Sequence, residues 1–191
     1  MATAATYPVT FEVDYPENLS RWLIFIKWLL VIPHWIILGA FQYLIQATTV
    51  ISWFAILFTG RYPKPLFDLA VIYWRWYSRM IAYVALLRDE YPPFGGGMPQ
   101  YPVRVDIEYP ERLSRLLIFV KWLLAIPHVI VLFFLTMAGI VVYVLAWFAI
   151  LFTGRFPRDM FDFLVGIGRW GLRVNAYVYL MRDEYPPFSL S

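Results

Sequence analysis

Two histidines are the residues whose type and spacing most directly suggest chemistry. His34 and His128 are the only histidines in the chain, and each directly follows a proline, Pro33 or Pro127. Imidazole is the commonest metal ligand in proteins, so the pair suggests a ligand site for haem or a chlorophyll-type pigment. The alternative is structural: each histidine bonds backbone carbonyls freed by the proline, or lies near a membrane interface.

A second candidate is a stripe of one acid and two arginines on a predicted helix in each half of the chain. The spacings of seven and four residues place the three side chains on one helix face. The members are Asp68, Arg75 and Arg79, then Asp162, Arg169 and Arg173. The stripe could line an ion path or bind anionic lipid headgroups. Alternatively, it is the wet face of an interfacial helix, with an Asp–Arg pair inside each unit.

Lys27 and Lys121 are isolated cations in otherwise apolar sequence. Either they grip phosphate groups, or their long side chains extend to a membrane interface. The chain has no cysteine, which excludes disulfides and thiolate chemistry. We find no acid–base pair, activated nucleophile, phosphate loop or dinucleotide motif. The sequence therefore predicts a protein that is not an enzyme, with no cofactor and no nucleic-acid partner.

The elements that must position these residues are unusually apolar. Of 191 residues, 61% are hydrophobic and 15% are charged, against about 45–50% and about 25% in soluble domains. Strongly polar side chains are few in residues 22–58 and 116–152. A membrane-crossing helix needs about 20 mostly apolar residues, so each run is ample for one crossing and nearly enough for two.

The chain is an internal duplication. Residues 7–94 align with residues 101–188 without a gap, and more than half of the aligned positions are identical. Residues 39–49 are the exception, because they share almost no identity with their counterparts. The predicted organisation is a first unit over residues 1–94, a Gly-rich linker over 95–100 and a second unit over 101–191.

Two shared blocks identify the repeat more specifically. One is Phe-Thr-Gly-Arg-aromatic-Pro at residues 58–63, and the other is Asp-Glu-Tyr-Pro-Pro-Phe at residues 89–94. Each repeat resembles an uncharacterised family of prokaryotic membrane proteins, the domain-of-unknown-function family 4389. The resemblance covers nearly the whole chain, once per repeat. It implies a bacterial membrane location and tandem copies, and it carries no established activity or catalytic residues.

Each unit is predicted to be mainly α-helical. Val9 to Tyr15 alternates apolar and polar residues, as does the same segment of the second unit, which predicts a short strand with one buried face. The two strands could pair antiparallel about a two-fold axis along the membrane normal. An apolar helix follows, kinked at Pro33 and stopped at Gly60. A third helix runs from about Lys64 to Leu87.

Two membrane topologies fit these elements. In the first, the chain forms a kinked transmembrane hairpin that turns at Gly39 to Thr49, and the third helix is an interfacial amphipathic helix. In the second, Pro33 to Thr59 crosses once and the third helix returns. Because the second topology places Arg75 and Arg79 in the bilayer, at roughly 2.5–3.5 kcal/mol each, we favour the hairpin. It gives two parallel pseudo-symmetric repeats, four crossings and both termini on the cytoplasmic side of the bacterial cytoplasmic (inner) membrane.

The predicted function is that of a non-catalytic integral membrane scaffold or accessory subunit. Its expected partners are the lipid bilayer and other membrane protein subunits, or further copies of itself as a homo-oligomer. A small transporter or channel is an alternative, and it requires a buried pair such as Asp68 with Arg75 at the repeat interface. A membrane-shaping hairpin protein is another, and a pigment or haem subunit is a fourth.

Overall fold

A computed structural model describes residues 7–97 and 100–191. Residues 1–6 of the predicted first unit and 98–99 of the predicted linker lie outside the described residues. The elements in chain order are strand β1 (Val9–Val13), a 3-10 turn (Leu23–Phe25), helices α1 (Lys27–Leu30), α2 (Ile32–Thr59) and α3 (Lys64–Val84), strand β2 (Val103–Ile107), a second 3-10 turn (Leu117–Phe119), and helices α4 (Lys121–Thr153) and α5 (Arg158–Val178).

The two strands form an antiparallel pair. Val9 lies opposite Ile107, and Phe11 lies opposite Val105 at the centre. One face of the pair is buried and apolar, while the other exposes Thr10, Glu12, Arg104 and Asp106. Successive side chains of a strand point to opposite faces, so the alternating sequence produces one apolar and one charged face.

Each strand packs on the last helix of the other repeat. β1 contacts α5, and β2 contacts α3. The apolar core is continuous through both halves and includes Phe11, Phe67, Ile107 and Phe161. The two sequence repeats are therefore interlocked, because each half supplies the strand that covers a helix of the other half.

The predicted hairpin turn is wrong in this structure. Gly39 to Thr49 lies inside the continuous helix α2, and the equivalent residues lie inside α4. The threonines of this segment are accommodated in the helix, since the hydroxyls of Thr48 and Thr49 both donate to the carbonyl of Ile45. Pro33 sits in the first turn of α2, where its missing N–H costs nothing, and Gly60 ends the helix with φ +69°.

The elements form three layers, with α3 and α5 in the middle. On α3, Arg75 and Arg79 face β2, whereas Tyr73 and Trp76 face α2. At 3.6 residues per turn, these two directions are roughly 120° apart, and in the third direction Trp74 packs on Tyr179, just after α5. The strands therefore lie on one side of the α3–α5 layer, and α2 and α4 lie on the other. The prediction that the third helix is a peripheral interfacial helix is wrong, because it is the central element.

The two outer layers have opposite surface chemistry. α2 and α4 bury one narrow stripe each and expose large apolar side chains around the rest of their circumference. Ile36 is 69% exposed, and Phe58 and Phe152 are each 73% exposed. Both helices are long and apolar enough to cross a membrane. On the opposite side of the molecule, the strands expose charged side chains.

Candidate functional site

His34 lies in a completely buried aromatic cage. Its Nδ1 accepts a hydrogen bond from the indole N–H of Trp76 at 2.8 Å. Phe94 stacks on the imidazole with ring centroids 4.2 Å apart, and Tyr91 contacts it edge-on at 5.0 Å. The second repeat reproduces these contacts around His128, through Trp170, Phe188 and Tyr185. The two histidines therefore join the start of each long helix to the third helix and to the end of the repeat.

The cage geometry bears on the ligand hypothesis. A neutral imidazole that accepts at Nδ1 carries its proton on Nε2. The Nε2 atoms of His34 and His128 are buried and have no hydrogen-bond partner among the described residues. This tautomer, inferred from the hydrogen bond, presents no lone pair to a metal ion. Within residues 7–97 and 100–191, no group of three or more metal-ligating side chains comes together. The geometry favours a packing role for both histidines.

Lys27 is a buried cation with a carboxylate partner. Its Nζ lies 2.9 Å from Asp89 and donates to the carbonyl of Arg88 at 2.7 Å, and only 2% of the side chain is exposed. It also lies over the ring of Tyr83, 4.8 Å from the centroid. Burial lowers the pKa of Lys27, and the Asp89 carboxylate acts in the opposite direction. The structure therefore places Lys27 in an ion pair inside the first unit.

The second repeat contains the same ion pair. Lys121 lies 2.8 Å from Asp183 and donates to the carbonyl of Arg182 at 2.6 Å. The lysine is again only 2% exposed. A buried charge needs a partner, and removing one member of such a pair is strongly destabilising. The pair therefore fixes the start of each long helix to the end of its own repeat.

The segment of residues 88–94, which we call the closing segment, connects several elements at once. Arg88 donates to the carbonyl of Asp14 at 2.9 Å and pairs with Glu90. Asp89 accepts from the backbone N–H of Ser20 at 2.6 Å, and the Tyr91 hydroxyl donates to the carbonyl of Leu30. Together with the Lys27 contact, these bonds tie the ends of β1 and α3 to α1, which leads directly into α2.

The aspartate and the arginines of the predicted stripe do not pair with each other in the structure. Asp68 pairs with Lys64 one turn away at the surface, and Asp162 pairs in the same way with Arg158 at 3.0 Å. Arg75 donates to the carbonyl of Val105 at 3.1 Å. The buried Asp68–Arg75 pair that the transporter hypothesis required is therefore absent from the described residues.

The arginines of the stripe instead hold the exchanged strands. Arg79 is 3% exposed, donates to the carbonyls of Val103 and Gly97 and lies over the ring of Tyr101. In the second repeat, Arg169 donates to the carbonyl of Phe11 at 3.1 Å. Arg173, which is also buried, donates to the carbonyl of Ser191 at 2.7 Å and lies over the ring of Tyr7. Their role in this fold is to bind backbone carbonyls of strands and tails.

Two sets of anchoring residues were missed by sequence reasoning. They are Asp89 and Asp183, which pair with the buried lysines, and Trp76 and Trp170, which donate to the histidines. The sequence contains a signal for Asp89, because this residue belongs to a heptapeptide that is identical in both repeats. In addition, the one lysine of each repeat that is buried among the described residues requires an acidic partner. Trp76 has no comparable signal, since its partner His34 is 42 residues away in the chain.

The same unit of lysine, histidine, tryptophan and closing segment thus appears twice, and it corresponds to a known family. The family model described as "Domain of unknown function (DUF4389)" matches residues 21–95 and residues 115–189. The chain belongs to this family, in two tandem copies. The matched ranges of DUF4389 contain the lysine, the histidine cage and the closing segment, whereas β1 and β2 lie outside them. No curated protein and no solved structure matches the chain.

These anchors hold the DUF4389 fold together, either within one unit or between the two repeats. Lys27, His34, Arg75 and Arg79 all contact groups of the protein itself. Among the described residues, the surfaces that remain available to other molecules are the apolar outer sides of α2 and α4, the charged outer face of the strands, and the loops at the helix ends.

Proposed function

We propose that this DUF4389 protein is a non-catalytic membrane protein that embeds α2 and α4 in the bilayer and serves as a scaffold or accessory subunit. The supporting observation is the one-sided surface, apolar on α2 and α4 and charged on the strands. Monomeric soluble proteins rarely expose contiguous apolar patches of more than a few hundred Å². Lipid is the simplest partner for a face made of two long helices whose exposed side chains are nearly all apolar.

The orientation we propose has both helices lying along the membrane plane. The two ends of α2 are tied to segments that adjoin the strands. At its start, Lys27 contacts Arg88, which in turn bonds Asp14. At its end, the carbonyl of Gly60 accepts from the N–H of Leu113 at 2.8 Å. The strands therefore lie alongside α2 rather than beyond one of its ends.

A perpendicular orientation would carry the charged strand face into the hydrocarbon. Arg104, at the centre of that face, lies 3.2 Å from Glu12 and 2.9 Å from Asp14. Each charge at bilayer depth costs roughly 2.5–3.5 kcal/mol on insertion scales. Length supports the same conclusion, since the 33 residues of α4 extend roughly 50 Å, well beyond the about 30 Å of a hydrocarbon core. An in-plane orientation replaces the four crossings of the hairpin topology.

The scaffold role follows from what this orientation leaves outside the membrane. The charged strand face would point into the cytoplasm, with Glu12, Arg104 and Asp106 exposed. The apolar flanks of α2 and α4 would meet other membrane proteins or further copies of this chain within one leaflet. The partners proposed are accordingly the bacterial inner membrane and membrane protein subunits.

Depth measurements along one face of α2 test this proposal. The chain has no cysteine, so a single environment-sensitive label can be attached to Ile36→Cys, Tyr43→Cys or Val50→Cys, which are spaced by seven and share one helix face. In reconstituted vesicles, we expect quenchers at known depths to place all three labels at one similar depth. A label at Glu12→Cys is the matched control and should remain accessible to a water-soluble quencher.

A crossing helix would give a different profile. The label at Tyr43 would then be deepest, with those at Ile36 and Val50 nearer to opposite headgroup layers. That result would overturn the in-plane orientation, and labels that all stay in water would overturn membrane embedding itself.

A further inference from the structure

The loop after α2 and the segment after β2 together carry a group of arginines that the anchors described above do not use. We propose that Arg61, Arg112 and Arg115, the arginine cluster, bind the phosphate group of an anionic lipid. The three side chains line a depression of about 490 Å³, together with Thr59, Gly60 and Leu113. The proposal rests on the membrane embedding proposed above, and it specifies one lipid class and where that lipid binds.

The cluster is assembled from both repeats by a fixed backbone contact. Arg61 follows the end of α2, whereas Arg112 and Arg115 follow β2. The N–H of Leu113 donates to the carbonyl of Gly60 at 2.8 Å, which holds the two segments together. Gly60 has φ +69°, a conformation that side chains other than glycine rarely adopt, and the Arg115 guanidinium passes beside it. The three arginines therefore converge because the fold places them together.

The positive charges of the cluster are not neutralised by other side chains of the described residues. Most other arginines of the chain are occupied: Arg88 binds Glu90, and Arg104 binds Glu12 and Asp14. Across residues 7–97 and 100–191, the side chains of the cluster make no ion pair and no hydrogen bond, and all three are exposed. Guanidinium groups form paired hydrogen bonds with phosphate oxygens, so three of them around one depression match a phosphate.

The depth of the cluster matches that of a lipid headgroup. Phe58, three residues before Arg61, is 73% exposed, and Leu116, next to Arg115, is 78% exposed. These apolar side chains mark the boundary between the embedded layer and the polar side of the molecule. Arginines at that boundary lie at the level of lipid phosphates when α2 and α4 are embedded, which favours a lipid over a soluble phosphate compound.

The second repeat provides an internal comparison. Around Gly154, the equivalent positions are Arg155, Asn18 and Arg21, so an asparagine stands at the position of Arg112. The backbone contact is the same, with the N–H of Leu19 donating to the carbonyl of Gly154 at 2.8 Å. The two places thus differ mainly by one charge, and the chain supplies its own matched substitutions, Arg112→Asn and Asn18→Arg.

Binding of a fluorescent short-chain phosphatidylglycerol to the full chain in neutral detergent micelles tests the proposal. We expect Arg112→Asn to weaken binding about fivefold, the effect of one arginine at an anionic lipid surface. Asn18→Arg should add a second site of similar affinity. Phosphatidylcholine with the same label should bind weakly to all variants, and thermal unfolding should show that each variant folds as the parent does.

The outcomes separate lipid from other phosphate sources. Displacement of the labelled lipid by millimolar inorganic phosphate would show that the site takes phosphate without a lipid chain and would overturn the assignment. Binding that is unchanged in both variants would overturn the site. The binding measurement is made in micelles and does not depend on how α2 lies in a vesicle. Lipid binding can therefore fail while the depth profile supports the in-plane orientation, and the depth profile can fail while lipid binding is observed.

Discussion

The two repeats meet at two equivalent places that are filled in different ways. At the first, which we call the aromatic junction, Trp74 of α3 packs on Tyr179 just after α5, with ring centroids 5.2 Å apart. At the second, which we call the groove, the equivalent positions are Gly168 and Ala85. The result is an apolar cavity of about 220 Å³ at the groove, whereas aromatic rings occupy the equivalent place at the aromatic junction.

Polar contacts accompany the difference in volume. At the aromatic junction, the Gln42 amide donates to the Tyr179 hydroxyl at 2.7 Å and accepts from the Tyr73 hydroxyl. The counterparts of Gln42 and Tyr73 in the groove are Thr136 and Ile167. One junction is thus held by a hydrogen-bonded aromatic network and the other by looser apolar contact. A duplicated unit can thus keep its internal anchors while the surfaces where the copies meet diverge.

The largest expected effect comes from emptying the aromatic junction. Trp74 is 4% exposed, and removing a buried tryptophan costs about 3–5 kcal/mol. We expect Trp74→Ala to lower the free energy of unfolding in detergent by about that amount. Trp28→Ala is the control, since that side chain is 64% exposed on the apolar surface and its loss should change stability little. Equal effects of the two substitutions would show that the junction is not a packed core.

A smaller effect is expected from filling the groove. A Cβ at Gly168 would lie 2.9 Å from the ring of Phe11, so Gly168→Trp is overpacked and should destabilise by about 1–3 kcal/mol. The counterpart of Phe11 at the aromatic junction is Val105. Adding Phe11→Val should therefore recover much of the loss, as measured by equilibrium unfolding of the single and double variants. Additive losses in the double variant would contradict the proposed equivalence of the two places.

The smallest effect is expected from the hydrogen bond alone. Tyr179→Phe removes the acceptor of the Gln42 amide and keeps the ring, so we expect a loss of about 1 kcal/mol. Tyr143→Phe in the groove is the matched control, because Tyr143 makes no hydrogen bond within the described part of the chain. If thermal unfolding shows the same change for both, the polar network does not distinguish the junctions.

Much of the secondary structure could be predicted from local sequence. The alternation around Val9 places β1, and Gly60 marks the end of α2 as glycine often does. The turn at residues 39–49 was a wrong inference from length, because an apolar run of this size suits either a hairpin or one long helix. The divergence of that segment has a different cause: Gln42 faces the aromatic junction, while its counterpart Thr136 faces the groove.

The candidate site was less predictable, because its partners are distant in the chain. Lys27 and Asp89 are 62 positions apart, and Arg75 binds the carbonyl of Val105 on the other repeat. A helix-face argument offered Asp68 as the partner of Arg75, since local spacing is all that one segment reveals. Because the repeats exchange strands, Arg75 binds Val105 rather than Asp68.

That exchange sets an order of events during synthesis. β1 is synthesised before α2 and α3, yet the helix on which it rests, α5, is synthesised only after β2 and α4. The first repeat therefore emerges with its third helix uncovered, and α3 receives its strand only when β2 follows. Contacts between such distant segments form slowly. The apolar faces of β1 and α3 therefore stay unpaired in the nascent chain until α5 and β2, respectively, have been synthesised.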